Sequence, residues 1–199
     1  MLNLFFHIKM INKAKFEKIK RELEKYDKER EDIILKTREI ITLSKRIIYG
    51  IHRKENVDKL VAEIKKEIAN MKDIAEDPAS EYTGSFKQAM QEYVEALAFY
   101  HFSKEDRFVD YDDLGVSPEY YLLGLCDLTG ELVRDAVNSS INEDYKRTAK
   151  IKDFVSELYG MLLQFNFRNG ELRKKFDGIK WDLKKLEDMA FDLKMKGKI

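Results

Sequence analysis

The stretch of sequence that decides the fold is IILKTREIITLSKRIIYGIHR, which extends from Ile33 to Arg53. Steps of three, four and seven residues, the spacing of an α-helix, separate the isoleucines on one side of it: Ile33, Ile40, Ile47, Ile48 and Ile51. Isoleucine favours strands in isolation, but the charged residues between these positions do not follow the alternation of a strand. The stretch therefore predicts an amphipathic helix, which we extend from about residue 12 to residue 52.

Few breaks interrupt the rest of the chain. Its 199 residues include two prolines and nine glycines, so long uninterrupted elements are expected. Asp77-Pro78 ends the second helix, because the residue before a proline disfavours the helical conformation. Ser117-Pro118-Glu119 combines an N-cap, a first-turn proline and a first-turn acid, and Gly197 closes the last helix. The pattern predicts helices at about 12–52, 56–74, 85–103, 118–140, 143–167 and 171–196.

These elements define the predicted fold class and its boundaries. The chain is predicted to be all-α, a single-domain antiparallel bundle of about six long helices over residues 12–199. Residues 1–11 are predicted to form an N-terminal tail outside this domain. The acidic segment KEDRFVDYDDLGVS, from Lys104 to Ser117, is predicted to be a solvated loop between the third and fourth helices.

Composition excludes several classes of protein and partner. The chain carries 37 basic and 37 acidic residues, so bulk charge does not indicate a polyanion partner, and such binding depends on a local patch. Cys126 is the only cysteine, which excludes a disulfide framework and a cysteine-based zinc site and favours a reducing, cytoplasmic setting. No apolar run approaches the roughly 20 residues of a membrane span, so no membrane association is expected.

One face of the first helix is rich in cations. At about 100° per residue, the side opposite the isoleucines carries Arg38, Thr42, Lys45, Arg46, Tyr49, His52 and Arg53. Cations, a hydroxyl and an aromatic ring suit phosphate contacts with occasional base stacking. A solvated amphipathic face explains the same spacing, and spacing alone favours that explanation.

Two later helices each present a pair of carboxylates. Glu92 and Glu95 are three residues apart in QEYVEA, and Asp127 and Glu131 are four apart in DLTGE, so each pair shares one helix face. Carboxylate oxygens suit a hard divalent cation, and clustered carboxylates repel one another unless a cation or a proton joins them. Paired acids at helical spacing are commonly surface residues or salt-bridge partners, and the spacing leaves both explanations open.

Other catalytic arrangements lack their residues. His52 and His101 are preceded three residues earlier by Tyr49 and Ala98, not by the glutamate of a ferritin-like Glu-x-x-His pair. The chain has no phosphate-binding GxxxxGK[ST] loop and no nucleophile-elbow motif. Cys126 is predicted to be a buried structural thiol, and His101 a hydrogen-bonded residue of the core.

Four blocks of sequence together resemble the translin family. They are TREIITLSKR from Thr37 to Arg46, QEYVEA from Gln91 to Ala96, YLLGLCDLTGEL from Tyr121 to Leu132, and LRKKFDGIK from Leu172 to Lys180. The resemblance covers nearly the whole chain, from about residue 16 to residue 197. The family includes translin and its partner TRAX (translin-associated factor X), and this chain resembles the TRAX type as a stand-alone, prokaryote-like member.

The resemblance implies a fold, an assembly and a chemistry. Family members are all-α, with a translin-like α-α superhelix, and they assemble into hollow octamers that hold nucleic acid. For this chain a homo-octamer is expected. TRAX supplies the catalytic acids of a metal-dependent endoribonuclease, which implies Mg²⁺ or Mn²⁺ as the cofactor here.

The resemblance also assigns roles by position. The expected catalytic residues are Glu92, Glu95 and Asp127. The expected metal ligands are Glu92, Glu95, Asp127 and Glu131. The expected nucleic-acid-binding residues are Arg38, Lys45, Arg46 and Arg53.

Three functions remain under consideration at this point. The first, which we predict, is a metal-dependent endoribonuclease that acts on single-stranded RNA inside a hollow oligomer. The second is a non-catalytic shell that binds single-stranded RNA or DNA, in which the acids serve packing or solubility. The third is a helical oligomerisation module that does not retain nucleic acid.

Overall fold

The computed structural model describes residues 12–74 and 84–199, and this part of the chain is all-α. In chain order its helices are α1 (Lys13–His52), α2 (Asp58–Ile74), α3 (Gly84–Lys104), α4 (Tyr111–Leu114), α5 (Pro118–Ile141), α6 (Tyr145–Leu162) and α7 (Glu171–Met195). Six of them are long, so the predicted fold class is confirmed. The predicted tail, residues 1–11, and the predicted break at Asp77-Pro78 lie outside the described residues.

Helix α1 has 40 residues, which corresponds to a length of about 60 Å. Its isoleucine stripe is buried as predicted, and Ile33, Ile40 and Ile47 are fully enclosed. None of residues 13–32 is buried, and Phe16 exposes 63% of its surface. The C-terminal half of α1 therefore forms the core, whereas its N-terminal half lies outside it.

Helix α3 is the central element of the bundle. It packs against α1 and against α5, and α5 continues the bundle to α6 and α7, which also pack on each other. Its buried residues surround the helix, because Phe99 and Phe102 on the carboxylate side are enclosed as fully as Met90 and Val94 on the opposite side. Gln91 of α3 is therefore buried between neighbouring helices, and Glu92 and Glu95 are partly buried there.

Local signals explain most of the helix ends. The Ser117 hydroxyl accepts a hydrogen bond from the backbone N–H of Tyr120, and Pro118 occupies the first turn of α5, as predicted. After α7, Gly197 adopts a left-handed conformation with φ 64°, which suits glycine. The backbone N–H of Lys198 then bonds to the carbonyl of Leu193 at 2.9 Å and closes the helix.

The expected loop from 104 to 117 contains a short helix that the sequence analysis missed. The Asp110 carboxylate caps α4 by accepting a hydrogen bond from the backbone N–H of Asp113, and Gly115 ends it with φ 62°. Asp113 also pairs with Arg107 at 2.6 Å. We expected these acids to be only solvated. Instead, Asp110 caps α4 and Asp113 forms an ion pair with Arg107.

Helix α6 is shorter than predicted. It ends at Leu162, and the chain turns through Gln164 and Phe165, whose backbone N–H groups bond to carbonyls three residues earlier. The apolar residues that extended the prediction then pack differently: Phe167 lies against Phe176 of α7, with ring centroids 5.3 Å apart. Tertiary packing, and not helix propensity, determines this end.

The lengths and hydropathies of the described helices bear on whether any of them could cross a membrane. Within residues 12–74 and 84–199, no helix combines the length and the apolar character that crossing a bilayer requires.

Large apolar side chains are exposed on α7, where Trp181, Phe191 and Met195 expose 59%, 64% and 71% of their surface. Exposed apolar residues in such numbers commonly indicate a contact surface.

Gly124 sets the distance between α3 and α5. A Cβ at this position would lie 2.6 Å from the Val94 side chain and 2.8 Å from the carbonyl oxygen of Gln91. We expect Gly124→Ala to lower the free energy of unfolding by about 1–3 kcal/mol, because overpacking forces the helices apart.

Gly130 provides the matched control on the same helix. A Cβ there would meet nothing within 4 Å, so Gly130→Ala should raise the free energy of unfolding by about 0.5–1 kcal/mol through helix propensity. Denaturant unfolding of both variants measures the difference. Equal stabilities for the two variants would show that the helices do not approach closely at Gly124.

Candidate metal and nucleic-acid site

The four predicted acids lie on the facing sides of α3 and α5. Glu92 and Glu95 belong to α3, Asp127 and Glu131 belong to α5, and each is partly buried. The close approach at Gly124, one turn before Asp127, brings the two pairs together. Their charges interact, because Asp127, Glu92 and Glu131 all raise the pKa of Glu95. We call these four side chains the acid cluster.

Burial is the main influence on the α3 pair. It raises the pKa of Glu95 to about 8, and the neighbouring carboxylates add to the effect. Burial also raises the pKa of Glu92, to which the charge of Asp127 contributes while Lys45 and Lys175 oppose it. Without a cation, Glu95 therefore keeps its proton at neutral pH, because ionisation would add a further buried negative charge.

Lys175 of α7 holds Asp127. Its Nζ lies 2.6 Å from Oδ1 and 2.6 Å from Oδ2 of the carboxylate. The side chains expose only 26% and 31% of their surface, so water screens this pair less than a fully exposed one. The ammonium group therefore offsets the charge of Asp127.

His52, the last residue of α1, holds Glu131. Its Nε2 lies 2.6 Å from Glu131 Oε2, and its side chain is 5% exposed. A carboxylate only accepts hydrogen bonds, so Nε2 is the donor. This hydrogen bond is the main cause that lowers the pKa of Glu131. The His52 ring also packs against Phe99 with centroids 4.9 Å apart, which fixes its orientation.

The acid cluster fits a divalent cation in its chemistry. Carboxylate oxygens are the ligands that Mg²⁺ and Mn²⁺ prefer. Burial is the main cause of the raised pKa of Glu95, and the repulsion from Asp127, Glu92 and Glu131 that adds to it is what a cation would relieve. Within residues 12–74 and 84–199, no three His, Cys, Asp or Glu side chains are placed to hold one ion as they lie. Lys175 and His52 instead engage two of the four acids.

A cleft opens beside the acid cluster. Its volume is about 360 Å³, and the residues that line it are Gly84, Lys87, Gln88, Gln91, Glu92, Asp127, Glu171 and Lys175. Lys87 pairs with Glu119 and Glu171 at 3.1 Å each. The cleft thus combines acids of the cluster with lysine and glutamine side chains, which are groups that contact phosphate and sugar oxygens.

The four predicted nucleic-acid-binding residues are all exposed: Arg38, Lys45, Arg46 and Arg53. Arg38 and Arg46 line a surface depression that they share with Glu63 and Glu67 of α2. Lys45 does not line this depression. Its charge lowers the pKa of Glu92, which indicates that it lies near the acid cluster. The structure therefore spreads these cations between the α2 side of α1 and the acid cluster.

The remaining members of the basic face have partners of their own. Arg53 follows the last residue of α1 and lies 3.9 Å from Glu55. Tyr49 is covered by Arg134 of α5, whose guanidinium carbon is 4.7 Å from the ring centroid. Arg134 in turn lies 3.7 Å from Glu131. The basic face and the acid cluster are therefore linked through Tyr49 and Arg134.

The position of Arg134 on α5 predicts its pairing with Glu131, but sequence reasoning missed two other partners of the acids, Lys175 and His52. Lys175 lies in the LRKKFDGIK block, beside another lysine, and nothing in the spacing distinguishes it from Lys174. His52 was placed on the basic face of α1, and its pairing with Glu131, 79 residues later, depends on the packing of both α1 and α5 against α3. A net charge of zero gave no sign that some basic residues neutralise the cluster.

Comparison with known proteins identifies the family. The sequence profile of the translin family matches residues 28–197. The chain belongs to the translin family. Translin from Gallus gallus is 43% identical over 79 residues, which are 40% of this chain and 34% of that protein. The match therefore spans about a third of that translin's length.

Other translin-family members match over most of the chain. Translin-associated protein X from Pongo abelii is 27% identical over 226 residues, covering 92% of this chain and 78% of that protein. Among solved structures, AfC3PO has a TM-score of 0.84 at 27% identity and covers 92% of this chain and 98% of that one. The structure of AfC3PO in complex with duplex RNA is similar to this chain with a TM-score of 0.79 at 25% identity. The match covers 92% of this chain and 97% of that one. The predicted TRAX-like resemblance is thereby confirmed.

Proposed function

We propose that this translin-family chain binds single-stranded RNA and cleaves it with the help of Mg²⁺ or Mn²⁺. The observation that carries the proposal is the acid cluster, in which burial and three neighbouring carboxylates raise the pKa of Glu95 to about 8. Such a cluster gains stability from a divalent cation. The likeness to translin-associated protein X over 92% of the chain supports the assignment.

The proposed roles of the acids follow from their surroundings. Glu92, Glu95 and Asp127 hold the cation directly or through water, and Glu131 acts as a further ligand or orients water. A bound cation would stabilise negative charge on the phosphate and make water more acidic. His52 keeps Glu131 ionised and in one orientation through the 2.6 Å hydrogen bond.

The proposed reaction is hydrolysis of a phosphodiester. The oxygen of a water molecule adds to phosphorus, the bond from phosphorus to the leaving ribose oxygen breaks, and that oxygen takes up a proton from solvent. Glu95 is proposed to contact the cation through the attacking water, and not directly, and to accept the proton of that water as a general base.

Nucleic-acid binding is proposed for the surface around the acid cluster. Arg38, Lys45, Arg46 and Arg53 are exposed. Lys45 acts on Glu92 of the cluster, Lys87 lines the cleft, and Arg38 and Arg46 would extend the binding surface along the α2 side of α1. Phosphate contacts of this kind position a strand without reading its sequence. AfC3PO, whose fold this chain shares, holds duplex RNA in one of its structures, which supports RNA over DNA as the main partner.

We place the reaction inside a hollow homo-octamer. The exposed Trp181, Phe191 and Met195 of α7 support contacts between copies, because single exposed apolar residues are common but several on one helix suggest an interface. An enclosed assembly would also keep bulk water from screening the acid cluster.

Removal of metal tests the proposal most simply. We expect purified protein to cleave end-labelled single-stranded RNA in Mn²⁺ or Mg²⁺, and in excess EDTA to retain the RNA without cleaving it. Retention should fall steeply with salt, because phosphate contacts release counterions. Equal cleavage with and without EDTA would refute metal dependence, and a duplex of the same sequence shows whether single strands are preferred.

A non-catalytic nucleic-acid-binding shell is the second candidate. The observation in its favour is the Lys175–Asp127 pair, with both oxygens 2.6 Å from Nζ, because an internal cation already neutralises one acid. This function predicts salt-sensitive binding of RNA or DNA with no cleavage in any divalent metal. The EDTA experiment separates the two functions directly.

A further inference from the structure

Lys175 occupies the position on Asp127 at which a cation would bind. Its Nζ is equally close, at 2.6 Å, to both carboxylate oxygens, so the ammonium group engages both oxygens of this acid. The ammonium group also acts on the other acids, since it lowers the pKa of Glu92 and of Glu95. A single side chain from α7 therefore pairs with both oxygens of one acid of the cluster.

Glu92 and Asp127 of the acid cluster line one cleft, but the cluster is not arranged to hold one ion. Within residues 12–74 and 84–199, no group of three potential ligands is arranged around one point, although Asp127, Glu92 and Glu131 all act on Glu95. Asp127 is drawn towards α7 by Lys175. Release of this one contact frees a carboxylate on the α5 side of the cluster.

We propose that Lys175 competes with the divalent cation for Asp127, so that metal binding displaces the lysine into the adjacent cleft. The inference rests on the proposed function and adds to it a residue that sets the affinity of the site. In the displaced position Lys175 lies among Lys87, Gln88 and Gln91, which line the same cleft. There its charge is available to a phosphate of bound RNA.

Lys87 offers a matched control for the charge of Lys175. Both lysines line the cleft, and their side chains are similarly exposed, at 29% and 26%. Lys87 pairs with Glu119 and Glu171 and not with Asp127. A variant of Lys87 therefore removes the same charge from the same cleft but leaves Asp127 occupied.

The experiment measures Mn²⁺ affinity by electron paramagnetic resonance of the free ion, without RNA. All variants are measured in the same buffer at one pH, so that competition from protons is equal in each. We expect Lys175→Met to bind Mn²⁺ about tenfold more tightly than the wild-type chain, because a charge-assisted hydrogen bond no longer has to be broken. Lys87→Met should change the affinity by less than about twofold.

Lys175→Arg provides a second variant that keeps the competing charge. Arginine can hold a carboxylate through two N–H groups, so its affinity for Mn²⁺ should not exceed that of the wild-type chain. Unchanged or weaker binding by Lys175→Met, or equal gains for Lys175→Met and Lys87→Met, would overturn the proposal. Absence of Mn²⁺ binding in all variants would overturn it as well.

The cleavage assay keeps this inference separate from the proposed function. Cleavage by the wild-type chain together with unchanged Mn²⁺ affinity in Lys175→Met means that the nuclease proposal stands and the competition proposal fails. Tighter Mn²⁺ binding by Lys175→Met without any RNA cleavage means that the competition proposal stands and the nuclease proposal fails. Lys175 then controls a cation site in a binding protein.

Discussion

The Glu95→Gln variant is expected to cleave single-stranded RNA at least about 100-fold more slowly than the wild-type chain in Mn²⁺. Glutamine keeps the size of the side chain but can neither accept the proton of water nor bind a cation as a carboxylate does. Glu95 is also the acid on which the charges of Asp127, Glu92 and Glu131 converge. The loss should therefore exceed that caused by removing a peripheral ligand.

Stability separates this effect from misfolding. Since Glu95 is a buried acid with a pKa raised to about 8, its replacement by a neutral amide should leave the cation-free protein at least as stable as the wild-type chain at neutral pH. Glu187→Gln, an exposed position on α7, is the control and should cleave at the wild-type rate. Full activity of Glu95→Gln would remove Glu95 from the proposed mechanism.

The affinity of the acid cluster for Mn²⁺ is expected to rise with pH up to about pH 8 and to level off above it. Below a pKa of about 8 Glu95 is protonated, and the proton must leave before the carboxylate binds a cation. One released proton corresponds to about a tenfold gain in affinity per pH unit. Calorimetric titrations at several pH values measure the slope.

The Glu95→Gln variant tests the origin of that slope, because it lacks the titrating group. Its residual Mn²⁺ affinity should change little between pH 6 and pH 8. The cation-free wild-type chain gives an independent check. Its folded state has a pKa of about 8 against an ordinary value of 4.5, so the folded state binds more protons between these values and stability falls as pH rises through that window. A Mn²⁺ affinity that is independent of pH in the wild-type chain would contradict the assignment.

The fold was largely predictable because its signal is local. The spacing of Ile33, Ile40 and Ile47 depends only on the helix period, and the capping roles of Ser117 and Gly197 depend only on neighbouring residues. The predicted end of helix α6 was wrong, because packing between residues that are distant along the chain determines where that helix ends. Helix α6 stops early because Phe167 packs against Phe176, and no local signal near residue 162 contains that information.

The candidate site was predictable in its acids but not in its counter-charges. Glu92 and Glu95 share a face by spacing alone, and Asp127 with Glu131 does so as well. The pairing of Asp127 with Lys175 joins residues 48 apart, and that of Glu131 with His52 joins residues 79 apart. Such contacts follow from the arrangement of three helices, which one sequence does not specify.

The most direct test of the central claim, that the acids of α3 and α5 hold a divalent cation, is anomalous diffraction from crystals grown with Mn²⁺. We predict a manganese peak in the anomalous difference map between Glu92, Glu95 and Asp127, with the Lys175 side chain moved from Asp127 into the cleft. A map with no peak among these residues, and with Lys175 still on both oxygens of Asp127, would contradict it.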